Sequence, residues 1–233
     1  MAYQAVIFDL DGVLCHTDEY HYLAWKKLAD SLGLRFDRGI NSRLRGVSRM
    51  ASLEIILEQY SGPALTAAEK MALAEKKNDA YRESLRLMTP ADLPEEVRTV
   101  LDTLRDQGLR LAVGSSSKNA PFILGQLNLS DFFDAVSDGN NITRSKPNPE
   151  VFLKAAELLN LPSKSCLVVE DAIRGAQAGH AGGFMVACVG DAAKAKAGDY
   201  NLDCISELLN VAWHGETGQQ AASAAAARKN KQK

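Results

Sequence analysis

The stretch Ala5-Val6-Ile7-Phe8-Asp9-Leu10-Asp11-Gly12-Val13 decides the fold of this chain. Its first four residues are apolar, and such a run is typical of a strand that is buried on both faces of a parallel sheet. Asp9 and Asp11 follow at the carboxyl end of that strand, where open α/β sheets bind their ligands. Because side chains two residues apart in an extended backbone project to the same side, both carboxylates can address one bound group. Gly12 then allows the chain to turn sharply away.

The two carboxylates suit a reaction at phosphorus. An aspartate at the tip of a rigid strand can act as a nucleophile, and its attack on a phosphoryl group would give an acyl phosphate that can pass the group on. A second carboxylate beside it can carry the proton of the incoming or leaving hydroxyl. The alternatives for so short a pattern are a plain turn and part of a calcium loop, although Asp18 stands where a calcium loop has its Glu. The other strand ends decide between these interpretations.

The composition is that of an ordinary globular protein. The 233 residues are 46% hydrophobic and 24% charged with a net charge of −2, so the chain lacks the basic excess of nucleic-acid-binding proteins. No apolar run approaches the length of a membrane span, and we expect no secretory signal, because no basic region followed by an apolar stretch and a cleavage site stands before the first strand. The four cysteines are dispersed without a C-x-x-C pair, which favours a reducing compartment. We expect a cytoplasmic protein that is a monomer and has no nucleic-acid or membrane partner.

Strands and helices alternate regularly only after residue 109. The predicted strands there span 109–113, 133–137, 166–169 and 184–187. Helical patterns separate them, which indicates crossover units and a parallel sheet. Between the first strand and residue 109 the periodicity is helical, with expected helices at 18–32, 50–60, 66–87 and 95–107. Thr17 is expected to cap the first of these helices.

This arrangement predicts an α/β fold, a Rossmann-like parallel-sheet core with an inserted all-helical cap domain. We expect the core to comprise residues 1–15 and 93–215, the cap to comprise 16–92, and 216–233 to form a disordered tail. Two short linkers would join the cap to the core, so the cap could close over a site at the carboxyl edge of the sheet.

Polar side chains follow three other predicted strands or the loops that lie beside them. Ser115 follows the second strand, and its hydroxyl suits a phosphate oxygen. Lys146 lies between prolines in the loop Ser145–Pro149 and would place a fixed cation on a transferring phosphoryl group. Glu170 and Asp171 end a later strand. Clustered carboxylates need a compensating charge, and Mg2+ accepts such oxygens while bridging a phosphate.

With these residues the sequence resembles the haloacid dehalogenase-like superfamily of phosphotransferases. The motifs are D-L-D-G-V at 9–13, Ser115, S-K-P-N-P-E from 145 and V-E-D at 169–171, and the resemblance extends to about Trp213. It implies that Asp9 is the nucleophile and Asp11 the general acid and base, while Ser115 and Lys146 bind the transferring phosphoryl group. It also implies one Mg2+, held by Asp9, the backbone carbonyl of Asp11, Glu170 and Asp171.

The helical insert carries a possible second anion site. Residues 39–53 contain Arg43, Arg45 and Arg49 without an acid among them, and arginine suits bidentate phosphate recognition. A solvated basic helix start is the competing interpretation. His21 and Trp25 stand four residues apart near the expected hinge, where a histidine could couple its protonation to cap closure.

Within the superfamily, several cap and core residues resemble the β-phosphoglucomutase family. The matching positions are Thr17, His21, Trp25, Gly46, Val47, Ser48, Arg49, Lys77, Asn78 and 117–122. The resemblance implies interconversion of β-glucose 1-phosphate and glucose 6-phosphate, with β-glucose 1,6-bisphosphate as the priming intermediate. It adds Thr17 and His21 to the catalytic set. It assigns the nontransferring phosphate to Arg49, Ser117, Lys118 and Asn119, and the sugar site to Gly46, Val47 and Lys77, with Ser116 and Trp25 as further candidates. One departure is His16, where the family commonly has Asp.

Two other functions stay open at this stage. Transfer to water instead of a sugar hydroxyl would make the chain a sugar-phosphate phosphatase on the same scaffold. A catalytically silent module that binds phosphosugars is the alternative from another class, although all the expected catalytic side chains are present.

Overall fold

The structure is a computed structural model that describes residues 3–44, 47–211 and 213. Its strands are β1 (Ala5–Phe8), β2 (Arg110–Gly114), β3 (Ala135–Ser137), β4 (Cys166–Glu170), β5 (Met185–Cys188) and β6 (Tyr200–Asn201). Its helices are α1 (Asp18–Ser31), α2 (Arg38–Ser42), α3 (Arg49–Leu57), α4 (Ala67–Leu85), α5 (Glu95–Asp106), α6 (Ala120–Gln126), α7 (Glu150–Leu158), α8 (Ile173–Ala181) and α9 (Gly190–Lys194). Short 3-10 helices span Pro90–Asp92, Ser163–Ser165 and Ile205–Asn210.

The six strands form one parallel sheet in the order β3-β2-β1-β4-β5-β6. The chain runs outward from β1 to β3 and then returns to the other side of β1 with β4. The topological switch point of the sheet therefore lies between β1 and β4, and open α/β sheets bind ligands beyond the carboxyl ends of such strands. The predicted fold class, a Rossmann-like core with an inserted helical cap, is confirmed.

The first strand is buried on both faces, as its sequence predicts. Val6 and Phe8 pack into one apolar cluster, whereas Ala5 and Ile7 pack into a second cluster across the sheet. This alternation follows from the two-residue period of a strand. Because β1 is hydrogen-bonded to β2 on one side and β4 on the other, the position of Asp9 is fixed from both sides.

Helices α1–α4 lie between β1 and β2 in the sequence and form the helical insert. Thr66 and Glu69 make a reciprocal capping box at the start of α4, the arrangement that a threonine three residues before a glutamate favours at a helix start. Near its other end, α4 contributes Tyr81 and Leu85 to the apolar cluster that also contains Ala120 and Ile123 of α6. The insert is therefore packed against the core along one side of α4.

The structure adds elements that the sequence does not signal. Helix α2 has five residues, α9 has five and β6 has two, and elements this short show no clear periodicity. The predicted helix 50–60 spans Arg49–Leu57 instead. The predicted tail 216–233 lies outside the described residues. None of the helices that the structure describes is long and apolar enough to cross a membrane.

Candidate active site

Three carboxylates meet at the carboxyl ends of β1 and β4. Asp9 follows β1, Glu170 ends β4 and Asp171 comes next. The parallel register sets Phe8 beside Val169, and the Asp9 N–H donates to the Val169 carbonyl at 2.9 Å. Each of the three acids offers a carboxylate oxygen within 4.8 Å of the others. The topological switch point thus gathers the acids that lie 161 residues apart in the sequence.

Lys146 bridges two of these acids. Its Nζ lies 2.5 Å from Asp9 Oδ1 and 2.6 Å from Glu170 Oε1, and all three side chains are buried. Burial opposes the charge of Lys146, but the carboxylates of Asp9 and Glu170 outweigh it and raise the lysine pKa above its ordinary value. Lys146 therefore favours its charged form beside the carboxylate of Asp9.

The backbone of Lys146 is also held in place. Its N–H donates to Ser116 Oγ at 3.4 Å, and Arg174 Nη2 donates to its carbonyl at 3.3 Å. Ser116 is a predicted substrate-binding residue, and in this structure its hydroxyl accepts a hydrogen bond from the backbone of the loop that carries Lys146.

The donor set fits a divalent cation. Burial and then the charges of Asp9 and Glu170 raise the pKa of Asp171 to about 8, while burial also raises that of Glu170, so one lysine does not supply enough positive charge for three acids. Two glycines leave room for these carboxylates. A Cβ on Gly12 would lie 2.1 Å from Asp171 Oδ2, and one on Gly175 would lie 1.8 Å from Glu170 Oε1.

Asp11 is half-buried beside this cluster and is well suited to proton transfer. Burial and then the charge of Asp9 raise its pKa to about 7, against the effect of a hydrogen bond that Thr17 donates to Oδ1. A carboxyl group with a pKa near the working pH can both hold and release a proton. Thr17 was predicted as a helix cap. It does occupy the position before α1, but its hydroxyl makes no cap hydrogen bond because it is turned toward Asp11.

Ser115 and Ser117 form a ladder of polar groups beyond β2. Ser115 Oγ accepts a hydrogen bond from the Ser117 N–H at 3.1 Å, and Ser117 Oγ accepts one from the Asn119 N–H at 3.2 Å. Lys118, between Ser117 and Asn119, is exposed, and its carbonyl accepts a hydrogen bond from Asn140 Nδ2 at 3.0 Å. Ser115 is itself buried, next to the strand that carries Asp9.

The insert places a second group of polar residues around His21. Lys77 Nζ lies 2.9 Å from His21 Nδ1, and the imidazole stacks on Tyr81 with ring centroids 4.0 Å apart. Burial and then the charge of Lys77 lower the pKa of His21 well below its ordinary value. Burial and then the charge of Arg49 lower the pKa of Lys77 to about 7. His21 therefore favours its neutral form, and Lys77 loses its charge more readily than an ordinary lysine.

Trp25 and Val47 have a different environment from the other predicted residues. Trp25 is buried in the apolar core of the insert with Leu28 and Phe36, and Lys77 Nζ lies 4.8 Å from the centre of its ring. Val47 is half-buried and its N–H donates to the Leu44 carbonyl at 3.2 Å. Gly46 lies outside the described residues.

Arg49 reaches the core through Asn78. Arg49 Nη2 donates to Asn78 Oδ1 at 2.8 Å, and Asn119 Nδ2 donates to the same oxygen at 3.0 Å. We call Arg49, Asn78 and Asn119 the cap–core bridge, because Arg49 and Asn78 belong to the insert and Asn119 precedes α6. The sequence analysis assigned no role to Asn78, to Glu75 or to Tyr81. Asn78 is one of the positions that resemble the β-phosphoglucomutase family, whereas the signal for Glu75 and Tyr81 is their helical spacing on α4, three residues from Asn78 and four from Lys77.

The family is shown by comparison with known proteins. A model of the haloacid dehalogenase-like hydrolases matches residues 3–183. The β-phosphoglucomutase of Bacillus subtilis is 38% identical over 216 residues, which cover 90% of this chain and 95% of that protein. The fructose-1-phosphate phosphatase YqaB of Escherichia coli is 30% identical and covers 78% of this chain and 94% of its own length.

A solved structure agrees with these matches. The crystal structure of β-phosphoglucomutase from Clostridium difficile has a TM-score of 0.82 at 35% identity, and the alignment covers 88% of this chain and 93% of that chain. The resemblance found in the sequence is thereby confirmed. With its parallel sheet and its family match over residues 3–183, the chain belongs to the haloacid dehalogenase-like hydrolase family.

Proposed function

We propose that the chain is a β-phosphoglucomutase, which interconverts β-D-glucose 1-phosphate and D-glucose 6-phosphate through β-D-glucose 1,6-bisphosphate. The observation that carries the proposal is the cap–core bridge, because a mutase must hold one phosphate of the bisphosphate while the other reacts. Arg49 supplies the cation for that second phosphate and Asn119 supplies an amide donor from the core. The similarity to the β-phosphoglucomutase of Bacillus subtilis supports the same function.

Asp9 is the proposed nucleophile. A carboxylate oxygen of Asp9 forms a bond to phosphorus as the bond from phosphorus to the sugar oxygen breaks, which leaves an aspartyl phosphate. Asp11 gives its proton to the leaving sugar oxygen and, in the second half of the cycle, takes one from the attacking hydroxyl. Thr17 holds the Asp11 carboxyl through its hydrogen bond to Oδ1. The sugar that leaves is glucose 6-phosphate, and Asp9 then passes the phosphoryl group to the 6-hydroxyl of a bound β-glucose 1-phosphate, which regenerates β-glucose 1,6-bisphosphate.

Lys146 and Ser115 are the proposed ligands of the transferring phosphoryl group. Lys146 Nζ already lies 2.5 Å from Asp9 Oδ1, so its charge would sit beside the phosphorus during transfer. Asp9, the carbonyl of Asp11, Glu170 and Asp171 would hold Mg2+. The bound metal would neutralise charge on the phosphoryl oxygens as it develops.

The insert would bind the rest of the substrate. We propose a second anion site made of Arg49, Ser117, Lys118 and Asn119 for the nontransferring phosphate. His21, Trp25, Gly46, Val47, Lys77 and Ser116 would line the sugar site, with residues 16–92 acting as a cap over the core formed by 1–15 and 93–215. The contact between Lys77 Nζ and His21 Nδ1 at 2.9 Å supports this role, because it keeps two of these candidate ligands side by side.

A sugar-phosphate phosphatase is the second candidate, since two of the relatives at 29–30% identity are phosphatases by name. Incubation of anomerically pure β-glucose 1-phosphate with Mg2+ and a trace of β-glucose 1,6-bisphosphate separates the two. A mutase converts the β-glucose 1-phosphate to glucose 6-phosphate. Release of free phosphate in an amount equal to the β-glucose 1-phosphate consumed would overturn the proposal. The Asp9→Asn variant should give neither product and is the control for contaminating enzymes.

A further inference from the structure

Asn78 is the central residue of the cap–core bridge. Its Oδ1 accepts hydrogen bonds from Arg49 Nη2 at 2.8 Å and from Asn119 Nδ2 at 3.0 Å. An amide oxygen has two lone pairs, so both are used. Asn78 is only 6% exposed, and water therefore does not compete freely for this oxygen. One atom thus fixes the separation between a cap arginine and a core asparagine that stand 70 residues apart in the sequence.

The neighbouring groups determine which way the Asn78 amide faces. A guanidinium can only donate, and an ionised carboxylate can only accept. With Oδ1 toward Arg49, Nδ2 donates to Glu75 Oε1 at 3.2 Å. The flipped amide would set N–H groups against Arg49 and an oxygen against Glu75. Asn78 therefore presents an uncharged oxygen to Arg49.

The lack of charge on Asn78 matters for anion binding. Glu75 Oε2 already lies 3.2 Å from Arg49 Nη1, but that carboxylate is 62% exposed, so solvent weakens its effect. A buried carboxylate in place of the Asn78 amide would accept the same two hydrogen bonds and would also cancel the charge of Arg49 at close range. An amide holds the arginine and leaves its charge available to a ligand.

We propose that Asn78 is a positioning residue for the nontransferring phosphate, acting through Arg49 and Asn119. It aligns the two donors across the cap–core boundary when the cap is closed and does so without neutralising the arginine. The inference rests on the proposed function in that it takes the second anion site as a substrate site. The inference requires only that a sugar phosphate binds at this site, whether the enzyme isomerises that sugar phosphate or hydrolyses it.

The test compares Asn78→Asp with Asn78→Ala. The readout is the ratio of kcat/KM for β-glucose 1-phosphate to kcat/KM for p-nitrophenyl phosphate, which has no second phosphate or sugar. We expect the ratio to fall about fivefold in Asn78→Ala and at least twentyfold in Asn78→Asp, mainly through KM of the sugar phosphate. The control is Asn201→Asp, because the amide of Asn201 bonds only within its own turn, to the Gly198 carbonyl at 2.8 Å and from the Gly198 N–H at 3.1 Å.

The order of the two variants separates positioning from a purely structural role. Both variants are made in a Glu75→Gln background, because Asn78→Asp alone would set a second carboxylate against Glu75 Oε1, which accepts from Asn78 Nδ2 at 3.2 Å. If Asn78 only tied the cap to the core, Asn78→Asp in that background would keep both hydrogen bonds to its oxygen and would resemble the Glu75→Gln parent, with Asn78→Ala the more impaired. That order would overturn the inference. Should Asn78→Asp not fold, as judged by its thermal transition, an unchanged ratio in Asn78→Ala would overturn it alone. Failure of the mutase proposal is detected separately, because free phosphate then appears in place of glucose 6-phosphate. In that case the ratio of kcat/KM values is measured for hydrolysis of β-glucose 1-phosphate and of p-nitrophenyl phosphate.

Discussion

Replacement of Lys146 by Met should destabilise the protein by about 3–5 kcal/mol at pH 8 in the absence of divalent metal. Lys146 Nζ lies 2.5 Å from Asp9 and 2.6 Å from Glu170, and all three groups are buried. Methionine matches the length of the aliphatic chain but leaves both carboxylates without their cation. Removal of one partner of a buried ion pair costs about this much because the remaining charge is uncompensated.

The deficit should shrink as the pH falls. Burial raises the pKa of Glu170 above its ordinary 4.5, and Lys146 is the largest influence that lowers it. Without the lysine this pKa rises further, so between pH 4.5 and the new value the folded variant binds more protons than the unfolded chain. Unfolding free energy of the variant therefore falls as the pH rises through that window. Urea unfolding at pH 5 and pH 8, each with a chelator, measures both limits.

Two further measurements make this prediction specific. Lys154→Met removes a lysine that pairs with Glu157 at 3.0 Å on the surface, and this exposed pair should contribute less than about 1 kcal/mol. Addition of Mg2+ should restore stability to Lys146→Met, by about 2.7 kcal/mol at a concentration one hundred times its Kd. A loss below 1 kcal/mol at pH 8, or an equal loss at pH 5, would refute the reasoning about the buried charges.

Two more predictions concern the glycine turn and the buried lysine of the insert. Gly12→Ala should raise the Mg2+ concentration for half-maximal turnover at least tenfold, because Gly12 has φ +92° and the new Cβ would lie 2.1 Å from Asp171 Oδ2. Gly33→Ala is the control, since Gly33 has φ +69° and a Cβ there would have no atom within 4 Å. An equal effect in both variants would contradict the prediction. Burial and then the charge of Arg49 lower the pKa of Lys77 from 10.5 to about 7. Between pH 7 and 10.5 the unfolded chain therefore binds one proton more than the folded protein at this lysine. The free energy of unfolding then rises with pH by up to about 1.4 kcal/mol per pH unit. Urea unfolding of Lys77→Met between pH 7 and 9 should lack this slope, and parallel curves for the two proteins would be inconsistent with a neutral lysine.

Much of the core could be read from the sequence because the relevant signals are local. The apolar run before Asp9 and the alternation of strands and helices after residue 109 depend on burial patterns within a few residues. The parallel topology then follows from crossover connections, and it brings the ends of β1 and β4 together. The candidate acids at 9, 11, 170 and 171 are thus found without coordinates.

The insert was predicted less completely. Trp25 has a spacing that is compatible with either a binding face or a core, and only the packing of the insert buries it. The hydroxyl of Thr17 could cap α1, but it contacts Asp11 because the loop after β1 brings that carboxyl within reach. In both cases the local pattern allows two outcomes and the tertiary neighbours select one.

The sequence by itself determined the sheet, the helical insert and the acids at the strand ends, since each is encoded by residue type and short-range spacing. Tertiary structure alone decided how the insert meets the core. The link from Arg49 through Asn78 to Asn119 spans separations of 29 and 41 residues, and no periodicity relates residues on different elements. Such contacts arise only when packing brings side chains from distant segments to within hydrogen-bonding distance.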